Sequence, residues 1–327
     1  MTALLFAGGL IVIAAASELF TNAIEWAGHL MRLGTGPTGS LLAAFGTALP
    51  ETIVAIVALV GGGNDAQRIA IGAVLGSSFL LLTLGGAVTG VAVLARGGAR
   101  ELRVAPTQAW RDLGVFLAAF ALAVGSSALP RAARIGVGVV LLLLYVWHVT
   151  MTLRGGGDED KEAPEPLHIV RWRQRPPAAA VAVQLVGAVA LLIVGSQLFV
   201  AAVHQTAQSL GIDPLVLAVI VIPFVTELPE TFNSVLWIRS GDDELAFGNV
   251  AGSAAFQACV LGFLGVTFTT WTLGAAGLIS AACAFATGAY LLALLRDGRA
   301  HGRLVVLAAL PWLAYVIAEL ATAGHLG

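Results

Sequence analysis

Two glutamates lie in the middle of long apolar stretches, and each one ends the same short pattern, Thr-x-Leu-Pro-Glu. The two copies run from Thr47 to Glu51 and from Thr226 to Glu230. A carboxylate in the middle of a bilayer costs about 3 kcal/mol on insertion scales, and two such charges repel each other unless a cation lies between them. Ca²⁺ takes about six to eight oxygen ligands, typically carboxylates and carbonyls, and each proline frees a helix carbonyl one turn earlier. The pattern therefore predicts a divalent-cation site formed by both glutamates and by carbonyl oxygens near the two threonines.

A Gly-Ser pair follows each pattern in the next apolar stretch, as Gly76-Ser77 and Gly252-Ser253. Glycine permits close approach of two helices in a membrane, and serine adds a hydroxyl oxygen. We therefore predict Ser77 and Ser253 as further ligands, with simple helix-packing serines as the alternative. For either glutamate taken alone, the alternative is a protonated structural side chain, which the duplication of the pattern disfavours.

These patterns belong to a longer internal repeat that relates the two halves of the chain. Further matching pairs are Ser17 and Ser196, Leu19 and Leu198, Phe20 and Phe199, Ala70 and Ala246, Gly72 and Gly248, and Val74 and Val250. Chance similarity between apolar helices would match leucines and alanines, but it would not also match prolines, glutamates and glycine–serine pairs. Internal repeats are typical of secondary transporters, in which the two halves are often inverted relative to each other and the binding site lies near the membrane midplane.

The composition requires a lipid environment. The chain is 58% hydrophobic and only 11% charged, with a mean hydropathy of +0.91, whereas soluble domains carry about 25% charged residues. No basic face typical of a nucleic-acid-binding protein is present. Cys259 and Cys283 both lie inside apolar runs, so we interpret them as small hydrophobic residues rather than as a disulfide or a metal-binding pair.

Ten segments are apolar over the roughly 20 residues that a spanning helix needs. They are 3–30, 38–61, 69–94, 110–129, 133–153, 178–207, 213–238, 245–269, 271–295 and 303–323. The predicted fold class is an all-α membrane protein of ten transmembrane helices, arranged as two inverted five-helix repeats. The repeats are residues 1–153 and 178–327, with their motifs at about 38–94 and 213–269, and residues 154–177 form a cytoplasmic linker loop.

Basic residues are concentrated in alternate loops of this layout. If the N-terminus is outside, the outside loops hold only Arg68, Arg131 and Arg134, and the other basic residues face the cytoplasm. This asymmetry agrees with the positive-inside rule. We therefore expect both termini outside, in what we interpret as a bacterial inner membrane. The acidic run from Asp158 to Glu162 lacks the spacing of a calcium-binding EF-hand loop, so we interpret it as a solvated linker.

The duplicated motifs resemble those of the calcium/cation antiporter superfamily, which includes the sodium/calcium exchangers. The family pattern is Gly-Thr-Ser-x-Pro-Glu, followed by Gly-Asn-x-x-Gly-Ser-Asn-x-x-Asn. It is matched here by residues 46–51 and 72–81, and again by residues 225–230 and 248–257. The resemblance implies an alternating-access antiporter that binds inorganic cations and needs no cofactor. It also implies that ligands come from the second, third, seventh and eighth helices, while the first and sixth slide across them.

Several residues depart from the family pattern. The last position of each second motif is Leu81 or Gln257, and the residue after each threonine is Ala48 or Glu227. Leucine and alanine remove oxygens that several Na⁺ sites would need, whereas Gln257 offers a neutral carbonyl. Glu227 adds a third carboxylate, whose excess charge a proton would neutralise. It lies about 100° round the helix from Thr226, so a water path or another helix is the alternative direction for its side chain. These departures favour H⁺ over Na⁺ as the counter-ion of Ca²⁺ or a related divalent ion, although both counter-ions stay open.

Glu18, on the first helix, is a candidate gating residue or proton relay, and a hydrogen-bonded interior group is the alternative. A cation channel of the same inverted-repeat architecture is the alternative function. We do not expect an enzyme, because the His-Glu-x-x-His pattern of a metalloprotease is absent. The sequence leaves the oligomeric state open.

Overall fold

The computed structural model describes residues 2–31, 49–98, 100–154 and 165–324, which are almost entirely helical. The first half contains α1 (Thr2–Leu30), α2 (Leu49–Gly61), α3 (Gly63–Leu80), a π-helical turn (Leu81–Gly85), α4 (Gly86–Ala95), strand β1 (Glu101–Arg103), α5 (Pro106–Gly125) and α6 (Arg131–Arg154). The second half contains α7 (Ala178–Leu210), α8 (Pro214–Thr226), α9 (Leu228–Ser240), α10 (Asp243–Phe256), a second π-helical turn (Gln257–Leu261), α11 (Gly262–Phe268), α12 (Gly274–Leu294), strand β2 (Arg299–His301), α13 (Gly302–Val306) and α14 (Leu310–Gly324).

Eight helical segments in the described part of the chain are long and apolar enough to cross a membrane. They correspond to eight of the ten predicted spans. The predicted span 213–238 is instead divided into α8 and α9 at Glu227, because Pro223 and Pro229 interrupt the helical hydrogen bonds. Of the predicted span 38–61, the described residues contain only α2. Residues 38–48 and the acidic run Asp158–Glu162 lie outside the described residues.

The two π-helical turns occupy corresponding places in the two halves. One begins at Leu81 and the other at Gln257, which are the positions that close the two copies of the second motif. Each turn continues a buried helix, α3 in the first half and α10 in the second. Single π-turns inside α-helices are rare and frequently occur at functional sites.

Helices α1 and α7 form the most extensive helix pair among the described residues. Glycines permit their close contact at two points. A Cβ on Gly9 would lie 2.9 Å from the backbone nitrogen of Phe199, and a Cβ on Gly195 would lie 3.0 Å from Cγ1 of Ile13. Small residues at such contacts let helix backbones approach closely in a membrane. The two longest helices therefore pack as one unit.

Helices α3 and α8 also depend on glycine for their contact. A Cβ on Gly72 would lie 2.6 Å from the carbonyl oxygen of Leu215. A Cβ on Gly76 would lie 2.6 Å from the carbonyl oxygen of Val219 and 2.7 Å from Cγ of Pro223. Because backbone atoms and a proline ring cannot easily move aside, these glycines fix the separation of the two helices. They therefore hold Ser77, on α3, against the helix that ends at Thr226.

Replacing Gly76 with alanine should separate α3 from α8. We expect the free energy of unfolding to fall by about 1–3 kcal/mol, as for other overpacked sites. A thermal unfolding curve of the purified protein in detergent measures this loss. Gly114→Ala is the matched control, because a Cβ there meets no described atom within 4 Å. Equal unfolding temperatures for the two variants would show that Gly76 is not needed for close packing.

Contacts near the helix ends divide those ends into two groups on opposite faces of the bundle. On one face, β1 pairs with β2, Arg96 forms an ion pair with Asp243, and Trp26 donates a hydrogen bond to the carbonyl oxygen of Glu165 at 2.7 Å. On the other face, Arg68 forms an ion pair with Asp213, and Arg134 donates a hydrogen bond to the carbonyl oxygen of Thr270. The first group corresponds to the loops predicted inside and the second to those predicted outside, and which face is inside stays a prediction.

Candidate cation site

Glu51 is the buried carboxyl group at the centre of the candidate site. It lies in the first turn of the described part of α2, and its side chain has no exposed surface. Its carboxyl group lies beside the side chains of Thr226 and Glu227. Neither carboxyl oxygen makes a hydrogen bond of standard geometry to any described residue. Burial of a charged group without compensation is strongly unfavourable, so this carboxyl group needs a cation or a proton as a partner.

The chain break between α8 and α9 brings Thr226 and Glu227 to Glu51. Helix α8 ends at Thr226, and Glu227 has φ −87° and ψ −4° between the two helices. Because Pro229 has no N–H, the carbonyl of Val225 cannot receive the hydrogen bond expected from residue 229. This backbone oxygen is next to Thr226, where the sequence predicts carbonyl ligands. The break thus presents both a backbone oxygen and a carboxylate.

Glu227 turns toward the interior and contacts Gln257. The Nε2 atom of Gln257 donates a hydrogen bond to Oε1 of Glu227 at 2.7 Å, and both side chains have no exposed surface. The Oε1 atom of Gln257 has no hydrogen-bond partner among the described residues. The amide nitrogen of Gln257 therefore orients Glu227, and the amide oxygen of Gln257 is available to bind a cation. The sequence predicted that oxygen as a ligand but left the direction of Glu227 open.

The two predicted serine ligands differ in their hydrogen bonds. The hydroxyl of Ser77 donates to the carbonyl oxygen of Ala73 at 2.9 Å, within its own helix. The hydroxyl of Ser253 is fully buried and has no hydrogen-bond partner in the described part of the chain. The same is true of Ser78, which the sequence did not predict as a ligand. A buried serine without a partner was not detectable from the sequence, because its neighbours are set by tertiary packing.

Three predicted residues are not part of this cluster as the structure describes it. Thr47 and the side chain of Glu230 lie outside the described residues, although the backbone of Glu230 is in the first turn of α9. The side chain of Glu18 is 74% exposed on α1, and its Oε1 atom is 3.5 Å from Nε2 of His168. The alternative interpretation of Glu18 as a hydrogen-bonded interior group is therefore wrong. Its predicted role as a gate or relay stays a prediction.

One polar contact near the site was not predicted. Asn249 donates a hydrogen bond from Nδ2 to the hydroxyl of Ser234 at 3.3 Å, and Ser234 donates to the carbonyl oxygen of Ala246 at 3.2 Å. These bonds connect α9, which carries Glu230, to α10, which carries Ser253. Asn249 is the second residue of the second motif in the second repeat. Its position in that motif was the signal from which its connection of α9 to α10 could have been predicted.

Comparison with known proteins places this chain in a family. Residues 1–154 and 180–320 match the family described as sodium/calcium exchanger protein. The chain is 28% identical over 307 residues to the putative antiporter CaxA of Alkalimonas amylolytica, with 89% of each chain covered. It is 26% identical over 266 residues to the inner membrane protein YrbG of Escherichia coli strain K12, covering 80% of this chain and 77% of the relative.

Solved structures share the fold. The H⁺/Ca²⁺ exchanger CAX superposes with a TM-score of 0.75 at 16% identity, covering 98% of this chain and 87% of that one. The sodium-calcium exchanger NCX_Mj superposes with a TM-score of 0.61 at 22% identity, covering 97% of this chain and 99% of that one. The protein is therefore an integral membrane protein with the fold of calcium and cation exchangers. It belongs to the sodium/calcium exchanger protein family, which is a family of transporters. This membership confirms the resemblance seen in the sequence.

Proposed function

We propose that the protein is a secondary active antiporter that exchanges Ca²⁺, or a related divalent cation, for H⁺ at the site of Glu51 and Glu227. The contact between these two buried carboxyl groups is the observation that carries the proposal. Two carboxylates in a dry interior repel each other unless a proton is shared or a cation binds. One site can therefore hold either a proton or a divalent cation, and each excludes the other.

The surrounding oxygens suit Ca²⁺. Hard divalent cations prefer carboxylate, carbonyl and hydroxyl oxygens. Besides the two carboxyl groups, the site offers the Oε1 atom of Gln257 and the backbone oxygen released by Pro229. We propose that Thr47, Ser77, Ser253 and Glu230 complete the set of ligands, as the repeated motifs predict. The two glutamates of the repeated pattern would then balance the charge of the ion.

Na⁺ coupling is less well supported by the described residues. Leu81 is fully buried and begins the first π-helical turn, at the position where Gln257 begins the second. Its side chain has no oxygen, so the first repeat lacks the ligand that the second one offers. Exchange for several Na⁺ ions would need oxygens from elsewhere.

We also propose that the two halves are inverted repeats and that transport is by alternating access. The paired π-turns and the matching Leu-Pro-Glu segments within α2 and α9 support this architecture. The tight packing of α1 with α7 supports their movement as a single unit over the site. The distribution of basic residues supports both termini outside, and the bacterial relatives support an inner membrane.

Proton release on Ca²⁺ binding tests this proposal directly. Ca²⁺ would be added to the detergent-solubilised protein in weak buffer with a pH indicator, while a calcium electrode follows binding. We expect about one proton released per Ca²⁺ bound, since the ligands must be deprotonated. Ca²⁺ binding without proton release, together with displacement of Ca²⁺ by Na⁺, would favour Na⁺ exchange instead.

A further inference from the structure

Strands β1 and β2 form an antiparallel sheet that places two arginines opposite each other. In its register Glu101 pairs with His301, Leu102 with Ala300 and Arg103 with Arg299. Leu102 and Ala300 are buried, so their side chains fix the register from the inner face. Arg103 and Arg299 therefore share the exposed face. Like charges directly opposite each other on a sheet are destabilising, so a bound anion would stabilise this pair.

Within the two strands, the one carboxyl group on this face is that of Glu101, which lies diagonal to Arg299 and forms no ion pair with either arginine. Neither Arg103 nor Arg299 forms a side-chain ion pair with a described residue. The carboxyl group of Asp243 is already paired with Arg96, and it accepts a hydrogen bond only from the backbone N–H of Arg103, at 2.9 Å. Asp297 is next to Arg296, whose Nε atom is 3.2 Å from it.

Further positive charges surround the arginine pair. Arg100 and Arg303 are both exposed beside the ends of the strands. The strands hold these residues firmly, because Gly302 donates a backbone hydrogen bond to the carbonyl oxygen of Arg100 at 2.9 Å, and Val104 donates one to Gly298 at 3.0 Å. The result is a rigid basic surface rather than a flexible basic tail.

This surface lies at the boundary of the membrane. Strand β2 continues directly into α13, whose Leu304 is 44% exposed immediately after Arg303. Trp110, in the second turn of α5, is 51% exposed, as is common for tryptophans at the membrane interface. A surface with charged residues next to exposed apolar ones is complementary to a phospholipid, because the charged residues can contact the headgroup and the apolar residues can contact the acyl chains.

We propose that Arg103 and Arg299 bind the phosphodiester headgroup of an anionic phospholipid in the cytoplasmic leaflet. Two arginines suit this ligand, because the planar guanidinium donates paired hydrogen bonds to phosphate oxygens. The bound headgroup neutralises the repulsion across the sheet and links the α4–α5 loop to the α12–α13 loop. The membrane would thus stabilise the contact between the two halves at this face. This inference does not depend on the counter-ion of transport.

Thermal unfolding with defined short-chain lipids tests the site. The protein in neutral detergent would be titrated with dihexanoyl phosphatidylglycerol, dihexanoyl phosphatidylcholine or inorganic phosphate. For the wild type we expect stabilisation by phosphatidylglycerol only. In Arg103→Gln/Arg299→Gln, the lipid concentration for half-maximal stabilisation should rise at least about tenfold. Without anionic lipid, this variant should unfold at the same temperature as the wild type or higher, because the repulsion is removed.

Arg173→Gln/Arg175→Gln is the matched control, since it removes two exposed arginines from the linker that the sequence places on the same side. We expect it to keep the wild-type response to phosphatidylglycerol. If both double variants lose stabilisation by phosphatidylglycerol equally, the lipid acts through nonspecific attraction to basic residues, and the proposal is overturned. Equal stabilisation by inorganic phosphate would also overturn it, by indicating a free-anion site. A lower unfolding temperature of Arg103→Gln/Arg299→Gln without lipid would overturn the claim of repulsion across the sheet.

Discussion

Glu51→Gln will abolish gradient-driven Ca²⁺ uptake into proteoliposomes while leaving the protein folded. Glutamine preserves the size of the buried side chain but cannot supply a negative charge to the cation. Truncating one member of a buried charge pair typically costs 2–5 kcal/mol, so we expect Ca²⁺ affinity to fall by at least about 30-fold. Uptake of ⁴⁵Ca²⁺ at a fixed low concentration measures the loss.

The variant should also be at least as stable as the wild type in the absence of Ca²⁺. Removing one of two adjacent buried carboxyl groups eliminates their mutual repulsion, and glutamine is neutral at every pH. The control is Glu244→Gln, which removes an exposed carboxyl group at the start of α10 and should keep wild-type uptake. Wild-type uptake by Glu51→Gln would show that this carboxyl group does not bind the transported ion.

Glu227→Gln will separate Ca²⁺ binding from proton coupling. This variant retains the ligands on the Glu51 side, but it loses the second carboxyl group of the contact. We expect Ca²⁺ affinity to fall by about tenfold, because one charge-assisted interaction is lost. Proton release on Ca²⁺ binding should fall close to zero, and uptake driven by a pH gradient should fall by at least about tenfold. The proton-release measurement and the transport assay test these two expectations separately.

Gln257→Leu provides the companion variant for Glu227. It removes the amide that donates to Glu227 at 2.7 Å but leaves all carboxyl groups in place. If Gln257 acts only by orienting Glu227 and contributing an oxygen, this variant should bind Ca²⁺ more weakly and still release a proton. Unchanged proton release by Glu227→Gln would assign the coupled proton to another residue.

The sequence predicted the framework of the site because its signals are local. Proline removes a helical hydrogen bond wherever it occurs, so the free carbonyl near Thr226 followed from Pro229, although the division of the predicted span 213–238 into two helices did not. Of the two glycines predicted to permit close helix contact, Gly76 makes such a contact against α8. The prediction was wrong for Gly252, because a Cβ there would meet no described atom within 4 Å. Leu81 and Gln257 were identified as the last positions of the two copies of the second motif, and a π-turn begins at each.

Features that depend on tertiary packing were not predictable in the same way. The direction of Glu227 depends on the dihedral angles at the break and on the position of Gln257 in the next helix. The buried hydrogen bond between His148 and Asp112, 2.9 Å long, joins two helices, although no pattern in the sequence pairs these residues. Strands of three residues, such as β1 and β2, are too short to show alternation, and their pairing brings together residues from different halves of the chain.

The most direct test of the account is ⁴⁵Ca²⁺ uptake into proteoliposomes under a pH gradient in the complete absence of Na⁺, with the same vesicles then given a Na⁺ gradient at constant pH. We expect the pH gradient to drive Ca²⁺ uptake above its equilibrium level, and we expect this uptake to be abolished by Glu51→Gln and retained by Glu244→Gln. Uptake that requires Na⁺ would contradict the proton-coupled site at Glu51 and Glu227. Ca²⁺ flux that only dissipates its own gradient would indicate a channel and contradict antiport altogether.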